Sequence, residues 1–408
     1  MEKHLLLPAA VILWASVPVQ SFASESADTL SLSAVEIVAN RATASTPVAY
    51  TNVSRRDIEK VNTGRDLPSL LSMTPSLIFT SDAGAGVGYS SMRVRGSDAS
   101  RINVTINGVP VNDAESHRVY WVNMPDLASS LRDVQIQRGA GTSTNGAGAF
   151  GATVNMLTDS PASEAYGELS GSFGSYNTGK ATLRAGSGLL GGRWSVDGRI
   201  SHLGSDGYID RASSQLWSYM GQVGFFSGNT SLRLLGFGGK EETYMAWDYA
   251  SKEEMKEFGR RYNPCGQYVD SEGNVAYYPD QKDHYTQHNF QLHFSQTIGE
   301  SWRLSAALHY TRGLGYYRQY KTRRTLAEYG LPPFVDADGN TVKKEDLIRL
   351  KHSNNHFGGI TANATYSASR LTLTLGAAAN DYRGHHFGQV EWVRNYIGPL
   401  DPLQQYYS

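Results

Sequence analysis

The chain reads as a β-rich membrane protein: a small α+β domain followed by antiparallel strands of a transmembrane β-barrel. Three observations carry that reading. From residue 161 on, segments of about ten residues alternate apolar and polar positions, the dyad of a strand facing lipid on one side. The connections between these segments alternate between tight turns and longer polar loops. No internal run approaches the ~20 apolar residues of a membrane helix, so a membrane span here has to be built from strands.

Composition agrees with this class. The chain has 408 residues, 42 of them glycine and 24 tyrosine, and charged residues make up 18%. A net charge of −1 gives no electrostatic argument for a nucleic-acid partner. Residues 1–23 read as a secretory signal: Lys3 and His4, an apolar run from Leu5 to Val19, then Ser21-Phe22-Ala23 at a cleavage-site spacing. The single cysteine, Cys265, excludes an intrachain disulfide, and a lone thiol is read as incidental.

Residues 24–44 form a polar arm interrupted by Ser33-Ala34-Val35-Glu36-Ile37-Val38-Ala39. This β-prone peptide suits strand addition to a partner's sheet edge; read alone, it is equally a first strand or a linker. Ser54 with Asp57 predicts a helix start, and Asp66 with Pro68 a second short helix presenting Leu67, Leu70 and Leu71. Gly84, Gly86 and Gly88 lie in a loop without the Lys-Ser pair or helix of a phosphate cradle. That loop leads to Arg93-Val94-Arg95-Gly96. Residues 102–110, INVTINGVP, read as a strand ending in the Asn107-Gly108 turn. Residues 112–125 gather His117, Arg118, Tyr120 and Trp121 with no evident core face. Such groups suit an anionic, aromatic or chelated ligand, and equally suit packing within the domain. Arg138-Gly139 opens a segment dense in small residues, including Gly146, Gly148 and Gly151.

In this order the motifs resemble the plug domain of TonB-dependent outer-membrane receptors: the leucine-rich helix ending in TPSL, the RVRG strand, the INGVP turn and the RGAG…GAFGA segment. The resemblance implies a TonB box at 33–39, a plug at 45–160 and part of a barrel at 161–408. It makes Arg93, Arg95, Gly96, Asn107, Gly108, Arg138, Gly139, Gly146, Gly148 and Gly151 structural plug residues. Buried arginines on the RVRG strand would then find acidic partners on the barrel wall.

Nine strands are expected, near 165–174, 177–187, 193–204, 214–227, 230–241, 285–298, 301–317, 354–368 and 370–383, with outer loops about 242–284 and 318–353. In 193–203, Trp194, Val196 and Ile200 alternate with Ser195, Asp197 and Arg199. The first long loop carries Tyr244 and Trp247, candidates for ligand contact together with Tyr89, His117, Arg118, Tyr120 and Trp121; bulk on the loop surface is the other reading. His284/His288 and His385/His386 lack the further ligands a metal site needs.

The resemblance implies uptake of a scarce ligand in the outer membrane, with TonB and its inner-membrane complex as partner and lipid around the barrel. A ferric siderophore or haem is the leading ligand, cobalamin or another nutrient the alternative. No cofactor or metal is expected, and no enzyme: a secreted hydrolase would need a convergent acid/base or nucleophile set. A binding-only surface protein is the remaining rival. The family's barrels are 22-stranded around a plugged lumen, and the C-terminal Gln404 to Ser408 lacks a terminal aromatic. An incomplete barrel, as in a fragment or a truncated product, is therefore expected.

Overall fold

The structure is a computed structural model that describes residues 41–44, 46–140, 150–401 and 404–408. The signal segment, residues 33–39, and Gly146 and Gly148 lie outside the described residues.

The first domain contains β1 (Ala49–Ser54), α1 (Arg55–Val61), α2 (Leu67–Leu70), β2 (Leu77–Ser81), β3 (Ser90–Val94), β4 (Ile102–Ile106), β5 (Val109–Pro110), β6 (Leu131–Arg138) and β7 (Ala152–Thr158). β1, β6, β7, β4 and β5 form one sheet in that order, parallel only between β4 and β7, while β2 and β3 pair separately. Helix α1 starts where Ser54 and Asp57 close a reciprocal capping box, two otherwise orphaned donors being satisfied at once. One face of the sheet supplies Val104, Ile106, Val134, Ile136, Val154 and Met156 to a core shared with Ile58, Leu71 and Trp121. Asn107 and Gly108 take φ of 53° and 79°, the two left-handed positions of a tight hairpin turn. Gly151 is required for another reason: a Cβ there would stand 2.3 Å from the Ser97 Cβ.

The second part is a nine-stranded antiparallel meander with β8 and β20 at its edges. Its strands begin with β8 (Ala165–Gly174), β9 (Thr178–Ser187), β10 (Trp194–Ser205), β11 (Ser214–Ser227) and β12 (Thr230–Tyr244). A long loop holding α3 (Lys252–Phe258), β13 (Gln267–Val269) and β14 (Val275–Tyr277) follows. Then come β15 (Lys282–Ile298) and β16 (Trp302–Thr325), the small hairpin β17 (Phe334–Val335) and β18 (Thr341–Val342), β19 (Lys344–Ser367) and β20 (Thr372–Val393).

The nine expected strands are all present, but the later ones are longer than the dyad suggested. β16 and β19 remain paired through Arg324 and Glu345, so the second long connection shrinks from 318–353 to 326–343. Here the two strands rise together with β20, which pairs with β19 as far as Leu347 and Val393, and alternation fades where no single face meets lipid.

Burial along this sheet is the reverse of a soluble protein's. Trp194, Val196, Ile200, Trp217, Leu234 and Leu308 are exposed, whereas Ser195, Asp197, Arg199, Ser201 and Gln222 are buried against the first domain. An apolar outer band with a polar inner face is what a bilayer-spanning wall requires. Trp194 with Phe225 and Trp302 with Tyr366 lie at the tight-turn end, and Tyr219 with His288 at the loop end, as aromatic girdles would.

Candidate functional site

Two zones join the plug to the wall. Along the middle of β9 and β10, Asp126 is held in a left-handed conformation (φ 49°) with its carboxylate against the wall. It takes Lys180 at 2.6 Å and Arg199 at 3.1 Å, with hydroxyl bonds from Ser201 (2.6 Å) and Thr182 (3.0 Å). Burial opposes ionisation of Asp126, but Arg199 and Lys180 outweigh it and hold its pKa below the usual carboxylate range. Asp159 similarly bridges Arg55 (2.7 Å) and Arg184 (2.5 Å).

This corrects the expected polarity of the seam. Arg93 is exposed and meets Asp98 of its own domain at 3.8 Å, and Arg95 donates to the Arg138 carbonyl at 3.3 Å. Among the described residues it is plug acids that meet wall cations. Asn107 adds a tie of its own: its amide donates to Thr158 Oγ1 at 3.0 Å and to Gln291 of the wall at 3.4 Å, while its carbonyl accepts from the Thr158 N–H. An aspartate there would lack the donor, so the amide has a structural role that turn propensity alone did not reveal.

At the loop end the plug and wall part to leave a cavity of about 730 Å³. Its plug side is the loop 111–124, and its wall side is the inward faces of β15, β16, β19 and β20. The plug loop is held by its own short side chains. Asn112 accepts from the Val104 N–H (2.8 Å) and donates to the carbonyls of Ile102 and His117 (both 2.9 Å). Asp113 accepts from the backbone and hydroxyl of Ser116 at 2.7 and 2.6 Å.

Of the candidate residues, Tyr89, Arg118, Tyr120 and Trp247 line this cavity. Tyr89 and Trp247 meet edge-to-face at 5.5 Å, and Trp247 meets Tyr317 at 5.7 Å, giving an aromatic row from plug to wall. Arg118 is held by Asp98 at 3.3 Å. The other three candidates lie elsewhere. Trp121 is buried in the plug core. His117 sits exposed at the turn with φ 57°. Tyr244 is buried inside the first long loop, its hydroxyl donating to the Cys265 and Tyr278 carbonyls at 3.2 and 3.0 Å. Cys265 is itself fully buried in that loop, which pushes its thiol up to about 12 and makes it unreactive.

The cavity also takes residues that were not singled out, among them Tyr285, Lys351 and Tyr382 on the wall and Glu115, 3.0 Å from His386. The inward dyad of Tyr285, Gln287 and Asn289 could have flagged the β15 contribution. Lys351 and Tyr382 come from strand stretches whose facing is fixed only by pairing. Among the described residues no group of three or more His, Cys, Asp or Glu side chains is gathered as for a metal.

A plug with wall cations clamped on its acids, an inside-out antiparallel wall and an outward-opening cavity define a plugged outer-membrane barrel. Residues 42–153 match the TonB-dependent Receptor Plug Domain family model, so the first domain is similar to the plug of those receptors. Among curated proteins, the probable TonB-dependent siderophore receptor PirA of Acinetobacter baumannii is 22% identical over 127 residues, covering 29% of this chain and 17% of that protein. The ferric enterobactin receptor of Pseudomonas aeruginosa is 21% identical over 300 residues, covering 68% of this chain and 39% of its own length. The chain thus spans well under half of either relative.

Solved structures agree on the fold. The unliganded ferric citrate transporter FecA superposes with a TM-score of 0.64 at 15% identity, covering 89% of this chain and 52% of that one. The ferripyoverdine receptor of Pseudomonas aeruginosa gives 0.59 at 14% identity, covering 88% and 47%. The second is described as a receptor of the outer membrane.

Proposed function

We propose that this chain forms the plug and ligand-facing wall of a receptor that imports a ferric siderophore or similar iron complex, driven by TonB and the proton-motive force. The observation that carries the reading is the cavity of about 730 Å³ bounded jointly by a plug loop and the wall. A ligand seated there touches the part that must move and the part that stays fixed. Its size falls in the range of small-molecule sites.

In this reading Tyr89, Tyr120 and Trp247 supply flat contact area and Arg118 supplies charge to an anionic chelate. Residues 33–39 add a strand to TonB. The iron-complex assignment is supported by the named ligands of the relatives; cobalamin is the outcome that would displace it.

The test is a titration of the whole receptor with ferric catecholate, ferric citrate and cobalamin, read by tryptophan quenching. Saturable binding of an iron chelate, weakened roughly tenfold in Arg118→Ala, is expected, a loss of about 1.4 kcal/mol. Binding of cobalamin alone would reverse the ligand assignment.

A further inference from the structure

Beside the cavity, the plug meets the wall through acids with no cation between them among the described residues. Asp66, at the start of α2, is buried, as are Glu241 on β12 and Asp283 on β15. Glu241 lies within electrostatic reach of Asp66, Asp283 and the Tyr89 hydroxyl, and Tyr89 donates to Asp283. One oxygen each of Asp66 and Glu241 has no hydrogen-bond partner, nor has the hydroxyl of Ser69 or Ser214. The loop carrying Tyr89 is pressed against the wall here. A Cβ at Gly88 would stand 2.6 Å from Ser214 Oγ, and Asp66 N–H donates to the Gly86 carbonyl at 2.7 Å.

The surrounding charges do not compensate these acids. Arg65 is exposed. Arg211 lies over the Tyr277 ring at 3.6 Å. Lys282 pairs with Glu242 at 2.5 Å, and Glu242 and His284 occupy the outer face of the wall. Tyr120 is the remaining titratable neighbour of Tyr89. A buried carboxylate without a counter-charge is costly, and the group takes up a proton instead.

We propose that a proton held on the buried Asp66 carboxyl, with Tyr89 bridging the same loop to Asp283 of the wall, seats the plug's glycine-rich loop on the wall, so that this contact loosens as Asp66 ionises. Burial pushes the Asp66 carboxyl up to about 8. The sign follows from linkage. A raised native pKa gives a contribution complete below the unfolded value of about 4, declining as pH rises and gone beyond about 8. The inference concerns the plug–wall contact and holds whatever ligand the cavity takes.

The test is the hydrogen-exchange protection factor of the amides in residues 83–90, corrected for the intrinsic pH dependence of exchange, in the receptor in outer-membrane vesicles. Between about pH 5 and 8 protection should fall by up to tenfold per pH unit, then level off. Asp66→Asn should remove the slope. A flat wild-type profile, or an unchanged slope in Asp66→Asn, overturns the proposal. Should Asp66→Asn fail to assemble, the infrared difference spectrum of the wild type between about pH 6 and 9 decides. Loss of a protonated-carboxyl C=O band supports the proposal. No such band, or a stoichiometric co-purified cation whose chelation releases the loop, contradicts it.

Discussion

Asp126 is where single residues matter most for keeping the plug seated. Its carboxylate is the shared counter-charge of Lys180 and Arg199, both buried. Asp126→Ala would strand two cations and should cost about 3–5 kcal/mol in plug unfolding, measured by calorimetry on the receptor. The pH dependence follows from its depressed pKa. This contribution is present above the unfolded carboxylate value of about 4 and is lost as pH falls through the folded value. Acid should therefore loosen the Asp126 contact, whereas base loosens the Asp66 contact. In the cavity, Trp247 touches both Tyr89 and Tyr317. Trp247→Ala should weaken ligand binding roughly tenfold while leaving the melting of the wall unchanged, a comparison of titration with calorimetry. What the sequence shows of these residues is chemistry without address. Trp121 and Trp247 are both aromatic residues in polar surroundings, yet one is plug core and the other lines the cavity. Only the fold of the 111–124 loop and the wall separates them.

At the scale of elements, the wall was the most legible part of the chain, because one face meets lipid and the other meets the plug. Both constraints have a period of two, so β8 and β11 have the limits their alternation predicted. Where either constraint ends, the signal ends too. Residues 318–325 of β16 pair with 344–350 of β19, with β20 alongside as far as Val393, and their polar sequence gave no reason to place them in strands. The seam between plug and wall was legible only in kind. Arg93 and Arg95 suggested ion pairs, but the working pairs use Asp126 and Asp159, isolated acids without a motif. A depth-dependent prediction belongs here. Leu234 is exposed within the apolar band of β12, while Gln215 of β11 lies toward the loops. Leu234→Arg should cost about 2–4 kcal/mol in folding into lipid vesicles, and Gln215→Arg under about 1 kcal/mol.

For the whole molecule, the parts connect into one route. Residues 33–39 precede the plug, Asp126 and Asp159 hold the plug on β9 and β10, and the cavity opens at the loop end between plug and wall. On the proposed reading, a pull by TonB on the N-terminal arm acts on the same domain that forms one side of the cavity and so releases a bound chelate inward. The measurement that tests this most directly compares binding and uptake of a radiolabelled iron chelate by cells making the whole receptor, with and without residues 33–39. The account predicts that the deletion leaves binding intact and abolishes uptake. Uptake that persists at the wild-type rate without residues 33–39 would contradict it.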